Sequence, residues 1–288
     1  MKFTFVGTGS AFTLNNFHTN TIIERNGKKL LLDAGSDIRF ALKNIDMSYK
    51  DLDAVYITHL HGDHCGGLEY LAFTTYFDPS VEEKMSLIGN NNVIRELWKS
   101  TLKGGLKSVQ GKKMSLDEYF DVQMIKDNGT FYWEDVKFQI VQSIHIIDEF
   151  SIVPSFGVMI TCPETGKVIY YTGDSQFCPA QIMDFYKMAD LIITDCETLP
   201  FKSGVHASWL DLKDLPLEIK TKMLLQHYQD VVIDRKGAIV PEWYEKAIAE
   251  GFMKVEMTQL ATDYWDLDNI EVNGFIPYST VLDTKVLV

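Results

Sequence analysis

Short apolar runs rich in Val, Ile, Leu, Phe and Tyr recur along the chain, each closed by turn residues. Runs of this kind predict strands. They fall at Lys2–Val6, Asn20–Glu24, Lys29–Asp33, Asp53–Ile57, Lys84–Ile88, Val136–Val141, Ser155–Thr161, Lys167–Tyr171, Asp190–Thr194 and Lys222–Leu225. Helical patterning falls at Ser36–Lys43, Asn92–Ser100, Pro179–Met188 and Pro241–Glu250. Ser36 is placed to cap the first of these, and Pro179 and Pro241 suit a first helical turn. Many strands with interspersed helices predict a mixed α/β or α+β fold. No repeat, low-complexity tract or Pro/Gly/Ser-rich linker divides the sequence. Residues 1–288 therefore read as one domain, with 228–288 as an extension that completes it or joins an oligomer interface.

Composition narrows this picture. The chain has 288 residues, 46 % hydrophobic and 23 % charged, which excludes a disordered chain. No apolar stretch of about 18 residues is present, so no membrane-spanning helix is expected. Met1–Phe5 runs straight into a strand without a signal-type segment, and four cysteines are too few for a disulfide framework. A cytoplasmic protein is expected, in the host cell if it is phage-encoded. The formal net charge of −13 disfavours a polymeric nucleic acid as partner, since that binding relies on Lys and Arg. Small phosphate compounds remain open where metal ions supply positive charge.

Gly7–Thr8–Gly9–Ser10–Ala11–Phe12 follows a strand but lacks the third glycine of a dinucleotide loop. It reads as a tight turn needing backbone freedom at Gly7 and Gly9. The chemistry sits instead in the histidines. His59, His61 and His64 lie in Thr58–His59–Leu60–His61–Gly62–Asp63–His64, directly after an apolar strand. Alternate residues of an extended segment share a face, so His59 and His61 can converge. Gly62 then permits the turn that brings in Asp63 and His64. Imidazole and carboxylate suit zinc and other first-row divalent ions.

This segment resembles the signature of the metallo-β-lactamase superfamily. Further matches follow in the family's order: His145 after the strand Val136–Val141, Asp174 in Tyr171–Thr172–Gly173–Asp174, and His227 after Lys222–Leu225. The resemblance implies an αββα sandwich, two packed mixed sheets with helices outside. It also implies two divalent metal ions, zinc by default with manganese or iron as alternatives. His59, His61 and His145 would hold one ion, Asp63, His64 and His227 the other, and Asp174 would bridge them. Asp63 would thus serve both metal binding and catalysis. Asp33 matches a family carboxylate that steadies a ligand histidine, and reads equally as a capping Asp before a Gly turn.

Gly7–Ala11 and Ser203–Gly204–Val205–His206–Ala207–Ser208 are similar to the ribonuclease Z branch. The branch implies that His206, paired with a carboxylate, assists the leaving oxygen of a phosphodiester. Asp195 and Glu197 are the two candidates for that carboxylate, with Asp195 favoured. The long arm by which ribonuclease Z grips transfer RNA is missing. What remains is a small phosphodiester. The sequence resembles class II cyclic nucleotide phosphodiesterases and, more closely, phage anti-Pycsar phosphodiesterases. The implied reaction is hydrolysis of 3′,5′-cyclic mononucleotides to nucleoside monophosphates, by a homodimer with no membrane partner. Alternatives are a ribonuclease Z-like endonuclease, or a lactonase or thioesterase on the same site. His18 reads as a turn residue, Cys65 and Cys196 as packing residues, and Phe73, Tyr76 and Phe77 as core or interface.

Overall fold

The computed structural model describes residues 1–14, 16–229, 247, 249–252, 254–255, 272–273 and 280–283. In chain order, β1 (Lys2–Gly7), β2 (Asn20–Arg25), β3 (Lys28–Leu32), β4 (Ala54–Ile57) and β5 (Ser86–Asn90) come first. A short ribbon of β6 (Ser108–Val109) and β7 (Lys112–Lys113) follows, then β8 (Asp121–Ile125). The second half supplies β9 (Thr130–Trp133), β10 (Val136–Ile147), β11 (Ile152–Thr161), β12 (Val168–Tyr171), β13 (Leu191–Asp195) and β14 (Met223–Gln226). Another ribbon, β15 (Lys254–Val255) with β16 (Val272–Asn273), precedes β17 (Thr280–Asp283).

These strands form two large mixed sheets. One has the order β17-β1-β2-β3-β4-β5-β8 and the other β14-β13-β12-β11-β10-β9. In each, antiparallel hairpins give way to parallel pairs, β3 to β8 in the first sheet and β12 to β14 in the second. Parallel neighbours need crossovers, and helices supply them. Pro179–Met188 links β12 to β13 and begins on its proline, as the sequence predicts.

The sandwich arises from alternation along the second sheet. Ile169, Tyr171, Leu191, Ile193 and Leu224 face inward, joining Phe3, Leu31, Val55, Phe138 and Phe156 in one core between the sheets. Their neighbours Tyr170, Ile192, Met223 and Leu225 face outward onto Ile182, Tyr186, Trp209 and Leu212 of the covering helices. Strands buried on both faces must read as unbroken apolar runs, and these do. The result is the expected αββα sandwich.

Several local expectations change. The helix after β3 is Ile38–Asn44, and Ser36 does not cap it. Asp37 occupies the N-cap, and its carboxylate accepts the backbone N–H of His18 instead. The helix predicted over Asn92–Ser100 is α-helical only over Asn91–Glu96 and widens to a π-turn at Leu97–Leu102. Leu68–Phe77 forms a helix beyond those predicted, on which Phe73 packs edge-on against Tyr119. Gly7 and Gly9 have no left-handed φ. Their need is space: a Cβ on Gly7 would overlap the backbone of Phe17 and His18, and one on Gly9 would overlap Thr13. Most of the predicted helix Pro241–Glu250 lies outside the described residues. Of the apolar Phe275–Leu287 segment, β17 is described and pairs antiparallel with β1.

No helix among the described residues is long and apolar enough to cross a membrane. Gly7→Ala should lower the unfolding free energy by about 1–3 kcal/mol, the usual cost of overpacking. Urea denaturation of chelator-treated protein reads this directly, and an unchanged midpoint would contradict the close approach.

Candidate active site

The site lies where strand ends from both sheets meet. Thr58 and His59 leave the buried end of β4, and His61 caps the single turn Gly62–Cys65 that carries Asp63 and His64. That turn is tied to the chain beyond β3, because Ala34 N–H donates to His64 O and Ser36 N–H to Gly62 O. His145 lies inside β10 rather than after it, since the strand runs on to Ile147. The pairing with β11 slips between Ile144 and Ile146, which leaves His145 as the unpaired residue of a bulge. A bulge re-aims one side chain, and here it turns an imidazole into the site. The sequence conceals this because the isoleucines flanking His145 extend the strand past its polar residue.

Asp174 follows β12 after Gly173, whose φ of +63° suits only glycine at little cost. His227 follows β14 in the left-handed region at φ 59°, and its N–H donates to Thr8 O at 2.7 Å. Thr8 in turn shares a 2.8 Å hydrogen bond with the Tyr228 hydroxyl. The end of β14 is thereby fastened to the end of β1 across the sandwich.

The side chains converge on two clusters. In the first, His59 Nε2 and His145 Nε2 lie 3.1 and 3.0 Å from His61 Nδ1. Asp174 Oδ2 lies 3.8 and 3.9 Å from the same two Nε2 atoms. In the second, Asp63 Oδ2 and Asp174 Oδ2 each lie 3.2 Å from His64 Nε2. The same oxygens lie 3.2 and 3.3 Å from His227 Nε2. Within each cluster every ligating atom is within 4.8 Å of the others, and Asp174 belongs to both.

The donor chemistry fits divalent ions. His145 Nδ1–H donates to Val205 O at 2.9 Å, which leaves its Nε2 lone pair facing inward. His59 Nδ1 meets the Thr58 hydroxyl at 3.0 Å, with the same consequence for its Nε2. Burial pushes the His59 imidazole well below its ordinary value and His145 down to about 4, so both stay neutral and able to ligate. His64 Nε2 is buried without a hydrogen-bond partner although two carboxylates face it. Burial opposes its charged form, but Asp174, Asp63 and Asp33 outweigh that and hold His64 protonated. The proton there occupies the place of a cation. The arrangement is one that could hold a divalent metal.

Asp33 supports both clusters. It is fully buried with φ 62°, and its carboxylate accepts from His64 Nδ1 at 2.8 Å. It also accepts the Thr58 N–H at 2.8 Å and the Thr58 hydroxyl. Thr58 therefore extends one carboxylate's influence to His59, a link that residue types alone do not reveal.

Beside the clusters, His206 Nδ1 lies 3.1 Å from Asp195 Oδ2 and 3.7 Å from Asp174 Oδ2. Ser175 N–H donates to the same Asp195 oxygen at 3.0 Å. Burial opposes the His206 cation, but the Asp195 hydrogen bond and the Asp174 charge outweigh it and push its pKa up to about 9. Glu197, the other candidate partner, does not pair with His206. Its carboxylate accepts the Ser203 N–H at 2.9 Å, because the chain turns back on itself there. His18 pairs with Asp37 at 3.3 Å, behind the turn that bears Asp63. Cys65 and Cys196 are buried, and burial pushes the Cys65 thiol up to about 12, which makes it a poor nucleophile.

Asp33→Asn should weaken metal affinity by about 10- to 100-fold, as expected for a group that orients a ligand. Competition against a chromogenic chelator measures this, and unchanged affinity would remove Asp33 from the support of the site. In metal-free protein the His206–Asp195 pair has a pH signature. The folded pKa of about 9 lies above that of an unfolded imidazole, so its stabilisation is complete below about pH 6.5. It is lost as pH rises through about 9. Wild-type stability should fall across that interval, and Asp195→Asn should show a smaller fall.

A family model described as Anti-Pycsar protein Apyc1 matches residues 1–242. An anti-Pycsar protein Apyc1 of Paenibacillus sp. (strain J14) is 34 % identical over 241 residues, covering 83 % of this chain and 93 % of that one. Its counterpart in Bacillus phage vB_BveM-Goe7 is 31 % identical over 242 residues, covering 80 % and 90 %. Among solved structures, the metallo-beta-lactamase fold protein YhfI from Bacillus subtilis is similar with a TM-score of 0.61 at 20 % identity, covering 79 % of this chain and 86 % of that one. At that identity the likeness speaks for the fold.

Proposed function

The chain belongs to the anti-Pycsar protein Apyc1 family, and from that premise we propose a two-metal phosphodiesterase that hydrolyses 3′,5′-cyclic mononucleotides to nucleoside monophosphates. The observation that carries this reading is the His206–Asp195 pair at 3.1 Å, set against the Asp174 carboxylate shared by both clusters. A thiolate leaves without a proton, whereas a ribose oxygen needs one. Its biological role would be antagonism of cyclic nucleotide immune signalling, a reading supported by the anti-Pycsar name of its relatives.

His59, His61 and His145 would hold one ion and Asp63, His64 and His227 a second, with Asp174 between them. Zinc suits this nitrogen and oxygen set. Two such ions, when bound, polarise a phosphoryl oxygen and make water a nucleophile at neutral pH. The remaining steps belong to the chain. Asp195 occupies His206 Nδ1 and so leaves Nε2–H as the proton to be given. That proton passes to the ribose oxygen as its bond to phosphorus breaks. Asp195 then steadies the ring through the change of charge, with Ser175 fixing the carboxylate.

A homodimer is part of this reading, and light scattering would test it. A host-cell cytoplasmic location fits a protein that removes an internal signal. Within the stretch after Tyr228, β17 would extend the single domain by its pairing with β1.

Zinc-loaded protein should convert cyclic CMP, UMP, AMP or GMP to monophosphates on chromatography. Intact cyclic nucleotides from a fully metallated enzyme would overturn the proposal. His206→Ala should lose about 10²–10⁴-fold in turnover of these substrates while keeping its metal. It should lose far less on a linear nitrophenyl phosphodiester, whose leaving group departs without a proton.

A further inference from the structure

Residues 198–206 form the loop that delivers His206, and its tip is exposed: Phe201 is 59 % exposed, and Lys202, Ser203 and Gly204 also face solvent. Surface loops of this sort are ordinarily more mobile than the elements they join. Here, beside the Lys202–Asp211 ion pair, the buried Glu197, 1 % exposed, ties the loop back on itself. The Glu197 N–H donates to Ala207 O and the Trp209 N–H donates to Glu197 O, each at 2.8 Å. The Glu197 carboxylate accepts the Ser203 N–H at 2.9 Å. The chain thus leaves Glu197 and returns to it three times.

A second restraint lies on the far side of the same turn. Gly204, at φ +83°, reverses the chain between Ser203 and Val205, and Val205 O accepts from His145 Nδ1–H. His206 follows immediately. Where its ring meets Asp195 is therefore decided by how Ser203 and Val205 are held. Asp195 and His206 account for the proton transfer and leave Glu197, a buried carboxylate outside both clusters of ligating atoms, without a task.

We propose that Glu197 is a positioning residue whose carboxylate clamps Ser203 and thereby aims His206 at the leaving oxygen. Its kinetic consequence rests on the phosphodiesterase reading. Water supplies the new oxygen on phosphorus, the ribose oxygen keeps the electron pair of the broken bond, and His206 Nε2 gives it a proton. A ribose alkoxide depends on that proton, and a nitrophenolate does not. A misaimed His206 must therefore slow one substrate class and spare the other, which general structural damage would not do.

Glu197→Gln keeps an acceptor oxygen for Ser203, and Glu197→Ala removes it. Glu197→Ala should lower kcat on the cyclic nucleotide by about 10- to 100-fold, with KM and metal content near wild type. Its rate on a linear nitrophenyl diester should stay within about threefold, and Glu197→Gln should recover most of the loss. Equal loss on both substrates, no loss, or a Gln variant as poor as Ala would overturn the proposal. Amide exchange followed by NMR in the wild type is a test that needs no alanine variant to fold. The Ser203 amide should exchange slowly despite its exposure, and exchange as fast as the Lys202 amide would overturn the clamp. If wild type leaves cyclic nucleotides intact, the phosphodiesterase reading fails, while the Ser203 amide still decides the clamp.

Discussion

One buried carboxylate constrains everything around it. Asp174 is 2 % exposed, and its Oδ2 lies within 4 Å of ring nitrogens from His59, His64, His145, His206 and His227. Burial alone would neutralise such a group, yet His227, His64 and His206 hold it well below the ordinary carboxylate range. A charge kept in the interior must be met from several directions. The five imidazoles come from β4, from the turn after it, from β10, from the end of β14 and from the loop that follows Glu197. No single sheet offers that many directions, so the site needs the join between two.

The join is made by backbone as much as by side chains. Tyr56 OH donates to Phe156 O at 2.9 Å and Phe156 N–H donates to Thr58 O at 3.0 Å, linking β4 to β11. His227 and Tyr228 do the same for β14 and β1. Three residues of the site stand in the left-handed region, and two of them, Asp33 and His227, carry side chains that pay a penalty there. Both sit directly after a strand, where a sharp change of direction is what brings a side chain round to the shared carboxylate.

Much of this was legible in the sequence. Each predicted strand is present, all within three residues except Val136–Val141, which runs six residues further as β10, because unbroken runs such as Leu191–Ile193 register burial on two faces. The residues that converge on the clusters were legible too, since His59, His61, Asp63 and His64 crowd one short segment after an apolar strand. What escaped depends on long-range geometry. The bulge at His145 is invisible because a register slip leaves the residue pattern almost unchanged. The choice between Asp195 and Glu197 turned on two residues of spacing, and only the path of the loop through Ser203 separates them. Thr58 and Ser175 carried a signal that went unread, being polar and directly adjacent to His59 and Asp174.

The fastening of β14 to β1 joins the two ends of the described sandwich. The Thr8–Tyr228 hydrogen bond spans 220 residues of chain, a closure whose entropic cost must be met before it returns anything. As the protein emerges from a ribosome, His59, His61, His145 and Asp174 are all available while the partners of His64 and Asp63 are still incomplete. His227 arrives last, and its backbone N–H is taken by Thr8, among the first residues made. All residues of the first cluster are therefore made before the second cluster can be complete.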